Sequence, residues 1–232
     1  MSTAKSAPVI ELKSISKTYK SGDETTIALH DINLTINDGD FVAIMGPSGS
    51  GKSTMMHILG LLDTPSQGMY MLDGQDVSKL KKNIQADLRN QKIGFVFQQF
   101  NLMPRTTVLD NLMLPTVYGD LPGRYERAET LLKQVDLADR ATHTGAQLSG
   151  GQIQRVAVAR ALMMNPSLIL ADEPTGNLDT KRSEEIMQLF RSINKHGATI
   201  VLITHEPEIA AFADRVITLK DGAIVADKRS NS

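Results

Sequence analysis

Apolar and polar residues alternate in short runs over positions 9–45, in Val9-Ile10-Glu11-Leu12, Ile27-Ala28-Leu29 and Ile32-Asn33-Leu34-Thr35-Ile36. A period of two puts one side of a strand against a core and the other in water, so these runs predict antiparallel strands. Turn residues punctuate them at Ser21-Gly22-Asp23 and Asn37-Asp38-Gly39-Asp40. The pattern changes further along. Leu168-Ile169-Leu170-Ala171 and Thr199-Ile200-Val201-Leu202-Ile203 are continuous apolar runs without alternation, as expected of central parallel strands covered on both faces. Helical spacing covers Ile153 to Met164, closed by Asn165-Pro166, and Arg182 to Asn194, closed near Gly197. Asp221-Gly222 between Val216–Leu219 and Ala223–Val225 predicts a hairpin. Residues 100–165 carry few strand signals and many helical ones, which reads as a helical subdomain inserted into an α/β core. Residues 1–8 and 227–232 read as short disordered tails around a single domain at 9–226.

Between the apolar run Phe41–Met45 and the helical Met55-Met56-His57-Ile58-Leu59 lies Gly46-Pro47-Ser48-Gly49-Ser50-Gly51-Lys52-Ser53-Thr54. This is G-x-x-x-x-G-K-[ST] in a strand–loop–helix setting, the phosphate-binding P-loop. Its glycines let the backbone curl so that several N–H groups face one concavity, and the next helix adds its positive end. Lys52 is placed to reach the β- and γ-phosphates and Ser53 to offer its hydroxyl to Mg²⁺. A nucleoside triphosphate is the expected ligand.

Composition removes several other chemistries. The 232 residues contain no cysteine, which excludes disulfides, thiolate zinc sites and cysteine catalysis. Lys+Arg 25 against Asp+Glu 26 gives no support to a nucleic-acid-binding surface. No apolar run approaches the roughly 18–20 residues that cross a bilayer. The N-terminal residues also lack the apolar stretch of a secretory signal. Any membrane role is expected to come through a partner.

Two further motifs carry chemistry. Leu168–Ala171 ends in Asp172-Glu173, where a strand end can present Asp172 to Mg²⁺ and Glu173 as general base to an attacking water. Leu148-Ser149-Gly150-Gly151-Gln152 places a serine and two glycines just before a helix, a second anion-ready terminus. One way to reconcile two phosphate-grade loops with a single P-loop strand is that the second serves a nucleotide bound by another copy.

Leu-Ser-Gly-Gly-Gln between a P-loop and a strand-end Asp-Glu resembles the ATP-binding cassette of ABC transporters, over about residues 9–226. Gly94–Leu102 and Ala171–Asp179 are similar in wording to the bacterial LolD/MacB/FtsE group, which serves lipoprotein release, macrolide and peptide efflux, and cell-division signalling. The resemblance implies an α/β P-loop NTPase with a RecA-like core, an N-terminal antiparallel β-subdomain and an inserted helical subdomain near 100–165. It implies Mg²⁺-dependent ATP hydrolysis by two copies closed head to tail. Each ATP then lies between Ser48–Thr54 of one copy and Ser149, Gly150, Gly151 and Gln152 of the other. Tyr19 matches the residue that stacks on adenine, and Gln98 the glutamine that touches Mg²⁺ and water. Asp179 matches the aspartate at the dimer seam, and His205 the histidine that contacts the γ-phosphate. The implied partners are integral membrane permease subunits, with a periplasmic adaptor as a further candidate. The implied location is the cytoplasmic face of the membrane.

Ile153 departs from the family, where many relatives carry glutamine just after the motif. His30, His57, His143 and His196 read as ordinary residues. Lys79-Leu80-Lys81-Lys82 reads as a solvated helix face. Asn101–Arg105 through Leu112–Pro115 suits either subdomain core or a docking surface for the permease. A permease that transmits a signal rather than a substrate is an alternative. A DNA-maintenance ATPase is disfavoured, because no sustained heptad run lies between Lys52 and Ser149.

Overall fold

The computed structural model describes residues 8–22, 24–119 and 121–229. Two sheets organise the chain. The first has strand order β2-β1-β4-β5, built from β1 (Pro8–Ser21), β2 (Glu24–Asn37), β4 (Gln67–Leu72) and β5 (Gln75–Asp76), all antiparallel. The alternation seen in the sequence is real here. Over Leu29–Ile36 of β2, Leu29, Ile32, Leu34 and Ile36 are buried and most of their neighbours exposed. The second sheet has order β10-β9-β3-β8-β7-β6. Its members are β3 (Phe41–Met45), β6 (Ile93–Phe97), β7 (Leu168–Asp172), β8 (Ile200–Ile203), β9 (Arg215–Lys220) and β10 (Ala223–Arg229). Pairs β6·β7, β7·β8, β8·β3 and β3·β9 are parallel, and only β9·β10 is antiparallel. Phe41–Ile44, Leu168–Ala171 and Ile200–Ile203 are buried throughout, which explains why their sequences do not alternate.

The helices are α1 (Lys52–Leu59), α2 (Lys82–Lys92), α3 (Val108–Met113), α4 (Arg124–Gln134), α5 (Gly150–Ala161), α6 (Thr180–Lys195) and α7 (Pro207–Ala210). In α6 the buried Ser183, Ile186, Met187 and Phe190 follow the 3/4 spacing of an amphipathic helix. By contrast α5 is buried on most sides. Its Val158 and Ala161 join the core under the parallel sheet, while Val156 and Ala159 join Val108, Leu112, Leu131 and Leu132 in a separate core of α3 and α4. Both α5 and α6, the latter through Leu189, pack into the two cores. A β-carbon at Gly94 would lie 2.3 Å from Ala161 O, so β6 and α5 approach as closely as a glycine permits.

Several expectations shift. Pro8 already belongs to β1, and Asp227–Arg229 belong to β10, where Asp227 takes a two-pronged ion pair from Arg215. Residues 1–7 and 230–232 lie outside the described residues. Strands β4 and β5 were not legible, because Met69-Tyr70-Met71-Leu72 is a short unbroken apolar run in which methionine carries no strand preference. Only Lys82 of the basic run enters a helix, the others leading up to α2. The predicted hairpin is present, with Asp221 at φ 48 and Gly222 at φ 77 joining β9 to β10. Among the described residues no helix is long and apolar enough to cross a membrane.

Candidate active site

The carboxyl ends of four neighbouring parallel strands deliver most of the predicted residues to one edge of the sheet. Strand β3 runs into Gly46–Thr54, β6 into Gln98, β7 into Asp172-Glu173 and β8 into Thr204-His205. Such an edge is where open α/β sheets bind ligands.

The loop at 46–54 is shaped by its glycines and by the β9–β10 hairpin beneath it. Gly46, Gly49 and Gly51 have φ of 157, 79 and 101. A β-carbon on Gly46 would lie 2.3 Å from Leu219 O, and one on Gly51 2.6 Å from Ala28 O. The Gly222 N–H donates to Ser50 O, and Gly222 O accepts from His30 N–H, tying the hairpin tip to both loop and β2. Helix α1 begins at left-handed Gly51 with no side-chain cap and no acidic residue in its first turn. Its first N–H groups are therefore available to an anion. The Lys52 ammonium donates to Gly46 O at 2.7 Å and Pro47 O at 2.9 Å, folded onto the start of the loop. These features fit a polyphosphate.

Glu173 is the most constrained residue of the site. Its φ of 44 places a non-glycine in the left-handed region, just ahead of Pro174, at a cost of about 1–3 kcal/mol. The turn is held by Glu173 N–H donating to Ile203 O at 2.9 Å. Its carboxylate is then gripped twice. Oε2 accepts from Thr204 Oγ1 at 3.1 Å, and Oε1 accepts from His205 N–H at 3.1 Å and lies 2.7 Å from His205 Nδ1. Hydrogen bonding to Glu173 and its charge raise the His205 pKa above the ordinary histidine value. Burial, and then the neighbouring Glu173 charge, raise Asp172, against the opposing pull of His57 and Lys52. His57, read as ordinary, thus belongs to the electrostatics of the site.

Gln98 lies over Gly176, where a β-carbon would meet its Nε2 at 2.6 Å, and Gln98 O accepts from Asn177 Nδ2 at 2.9 Å. Among the described residues no group of three or more His, Cys, Asp or Glu is arranged to hold a metal. Ser53, Gln98 and Asp172 are a sparse set of oxygen donors, which suits Mg²⁺ when phosphate completes its shell.

Tyr19 makes its contacts on the other sheet. Its hydroxyl donates to Asp63 Oδ2 at 3.0 Å, and the Lys17 ammonium, itself 2.7 Å from Asp63 Oδ1, lies 4.9 Å from the ring centre. Burial works against ionised Asp63, but hydrogen bonds from Lys17, Thr64 N–H and Tyr19 hold its pKa low. The ring is 41% exposed, with surface left for a stacking partner.

Ser149–Gln152 form a second group, and no hydrogen bond among the described residues joins them to Gly46–Thr54. Ser149 caps α5, its Oγ accepting from Gln152 N–H at 3.4 Å while Gln152 Oε1 accepts from Ser149 N–H at 2.9 Å. Gly150 sits against Leu178 and Gly151 against the Arg182 stem. Arg182 also pairs with Asp179, whose carboxylate caps α6 by accepting from Arg182 N–H at 3.0 Å. Ile153 is half-buried. Three residues near the site were missed in the sequence: Thr204, Asn177 and Gln154. Thr204 closes an apolar strand, Asn177 lies in the quoted motif and Gln154 keeps the family pattern after Ile153, so each carried a weak signal.

A fold of this kind, with a P-loop at β3, an Asp-Glu at β7 and a histidine after β8, defines a P-loop ATPase. The family model described as ABC transporter matches residues 29–176. An uncharacterized ABC transporter ATP-binding protein of Bacillus subtilis, YknY, is 53% identical over 219 residues, covering 94% of this chain and 95% of the relative. The macrolide export ATP-binding/permease protein MacB of Chlorobium luteolum is 52% identical over 228 residues. That match takes in 97% of this chain but only 34% of MacB, so the chain spans about a third of such relatives. The dimeric structure of MJ0796, a bacterial ABC transporter cassette, superposes with a TM-score of 0.85 at 48% identity, covering 96% of this chain and 99% of that one. A post-hydrolysis dimer of the same cassette bound to ADP and Pi also gives 0.85. The chain belongs to the ABC transporter family and is an ATP-binding cassette ATPase.

Proposed function

We propose that this chain is the nucleotide-binding subunit that energises export or release of a substrate through integral membrane permease subunits. Two copies close head to tail over two ATP molecules. The observation that carries this reading is the separation of two anion-ready groups. Gly46–Thr54 with Glu173 and His205 make up one, and Ser149–Gln152 the other, with no hydrogen bond between them among the described residues. A second copy supplies what each lacks. ATP gives contacts that exist only in the closed dimer, and loss of the γ-phosphate removes them.

In the closed site the amides of Ser48–Thr54 and the Lys52 ammonium, released from Gly46 O and Pro47 O, cradle the phosphates. Mg²⁺, held by Ser53, Gln98 and Asp172, would supply charge neutralisation at the phosphate oxygens. The Glu173 carboxylate accepts the proton of the attacking water, and His205 holds that carboxylate in place. Ser149, Gly150 and Gly151 of the second copy stabilise charge on the γ-phosphate, and Asp179 lies at the seam. Tyr19 stacks on the adenine. Phosphoryl transfer of this kind needs positioning and charge stabilisation more than covalent chemistry.

The permease docks beside Gln98, on the exposed Asn101 and Met103–Arg105, while Val108 and Leu112 further along the stretch belong to the subdomain core, and it keeps the chain on the cytoplasmic face of the membrane. A periplasmic adaptor completes the assembly on the far side. The export names of the MacB relatives favour transport over a purely signalling role. The test is Glu173→Gln. It should give an ATP-stabilised dimer with little turnover, whereas an unchanged rate would remove Glu173 as the base.

A further inference from the structure

Gln154 stands on α5, two residues past Gln152, and its side chain is fully buried. Its Nε2 donates to Pro174 O at 2.6 Å. Pro174 directly follows Glu173, whose left-handed backbone is what turns its carboxylate toward Thr204 and His205. The other contacts of this turn run to Ile203 through Glu173 N–H, to Gln98, and within the turn itself. Gly176 N–H donates to Glu173 O, Leu178 N–H donates to Thr175 O, and Gln98 covers Gly176. Among the described residues Gln154 is thus the side chain that ties the turn to α5 by a hydrogen bond, beside the packing of Leu178 on Gly150.

The glutamine amide is only half satisfied here. Among the described residues its Oε1 is buried without a partner, as is Thr175 Oγ1. An unpaired buried acceptor costs free energy, and an apolar side chain of equal length would remove Oε1 only by leaving Pro174 O without its donor. The amide is justified by the single bond that it makes.

We propose that Gln154 is a positioning residue for Glu173: from the helix that begins with Ser149, it fixes the Pro174 carbonyl and so the turn that aims the general base. The helix offered to the second copy and the base aimed at the chain's own nucleotide are thereby joined by one hydrogen bond. This inference rests on the reading of Glu173 as the base.

The experiment is a double-mutant cycle between Gln154→Met and Glu173→Gln, read by steady-state and single-turnover ATP hydrolysis on the whole chain. Gln154→Met should lower kcat about tenfold with KM for ATP unchanged, as loss of one positioning hydrogen bond predicts. In the Glu173→Gln background it should lower the rate no further, because the group it positions is already gone. An equal loss in both backgrounds, or a raised KM with kcat intact, would overturn the proposal. If Glu173→Gln itself retained the wild-type rate, the reading of the base would fail instead, and the two failures are distinguishable. Gln154→Leu, examined in the same cycle with thermal melts, provides the answer should the methionine variant not fold.

Discussion

The imidazole of His205 and the carboxylate of Glu173 meet across 2.7 Å, Nδ1 to Oε1, although His205 is 69% exposed and Glu173 only 16%. A carboxylate only accepts hydrogen bonds, so the shared proton belongs to Nδ1. The pair is a charge-assisted contact whose strength depends on the protonation of the histidine.

That dependence has a definite sign. The His205 pKa is raised in the folded chain by the hydrogen bond to Glu173. Its stabilising contribution is therefore fully present below the unfolded value of about 6.5 and is lost as pH rises through the higher folded value. Titration of His205 by NMR should give a midpoint above that of an ordinary histidine. Glu173→Gln should bring it back down. A midpoint unmoved by that substitution would show that Glu173 is not the cause.

Lys52→Ala should weaken ATP binding on the order of a hundredfold, the loss of about 2–3 kcal/mol of charge-assisted bonding. The melting temperature without nucleotide should hardly change. In the free chain the Lys52 ammonium bonds only Gly46 O and Pro47 O among the described contacts. Equilibrium binding of a fluorescent ATP analogue, paired with thermal melts, separates the two effects.

Mixing two inactive variants tests whether the site is shared between copies. Lys52→Ala disables the P-loop and Ser149→Ala the opposing group, the latter at about 1 kcal/mol of helix capping. A mixed dimer closed head to tail keeps one intact composite site, so activity should return on mixing. If each site lay within one chain, the mixture would stay as inactive as its parts.

Two glycine substitutions should differ in a way that composition does not predict. A β-carbon at Gly94 would lie 2.3 Å from the backbone oxygen of Ala161, so Gly94→Ala forces β6 from α5 and should cost about 3 kcal/mol. Gly74 has φ 75 and no atom within 4 Å of an added β-carbon, so Gly74→Ala meets only backbone strain, about 1–2 kcal/mol. Chemical denaturation of both measures the difference.

The residues show which parts of this molecule a sequence can disclose. Gly46–Thr54 and Asp172-Glu173 announced themselves because their chemistry needs fixed residue types at fixed spacing within one segment. The parallel strands were legible because burial on both faces leaves no room for polar positions. Gln154 and Thr204 were not legible, since their roles come from packing against residues 20 and 31 positions away in the chain. Strand β4 was hidden for a different reason: its partner is β1, and pairing with a distant strand overrides the weak preference of two methionines. The ends of the chain were misjudged at Pro8 and Asp227–Arg229, where ladder pairing and the Arg215 ion pair order polar residues that look loose by composition.

The cap on α5 has a consequence for what the helix can still do. A hydroxyl has two lone pairs and one hydrogen. Ser149 spends a lone pair on Gln152 N–H, and the hydrogen remains free. The residue can close its own helix and still donate a hydrogen bond, without choosing between the two tasks. Aspartate caps a helix equally well but would confront an incoming phosphate with a like charge. Ser149→Asp should therefore leave α5 intact while making its tip repel the ligand it otherwise attracts.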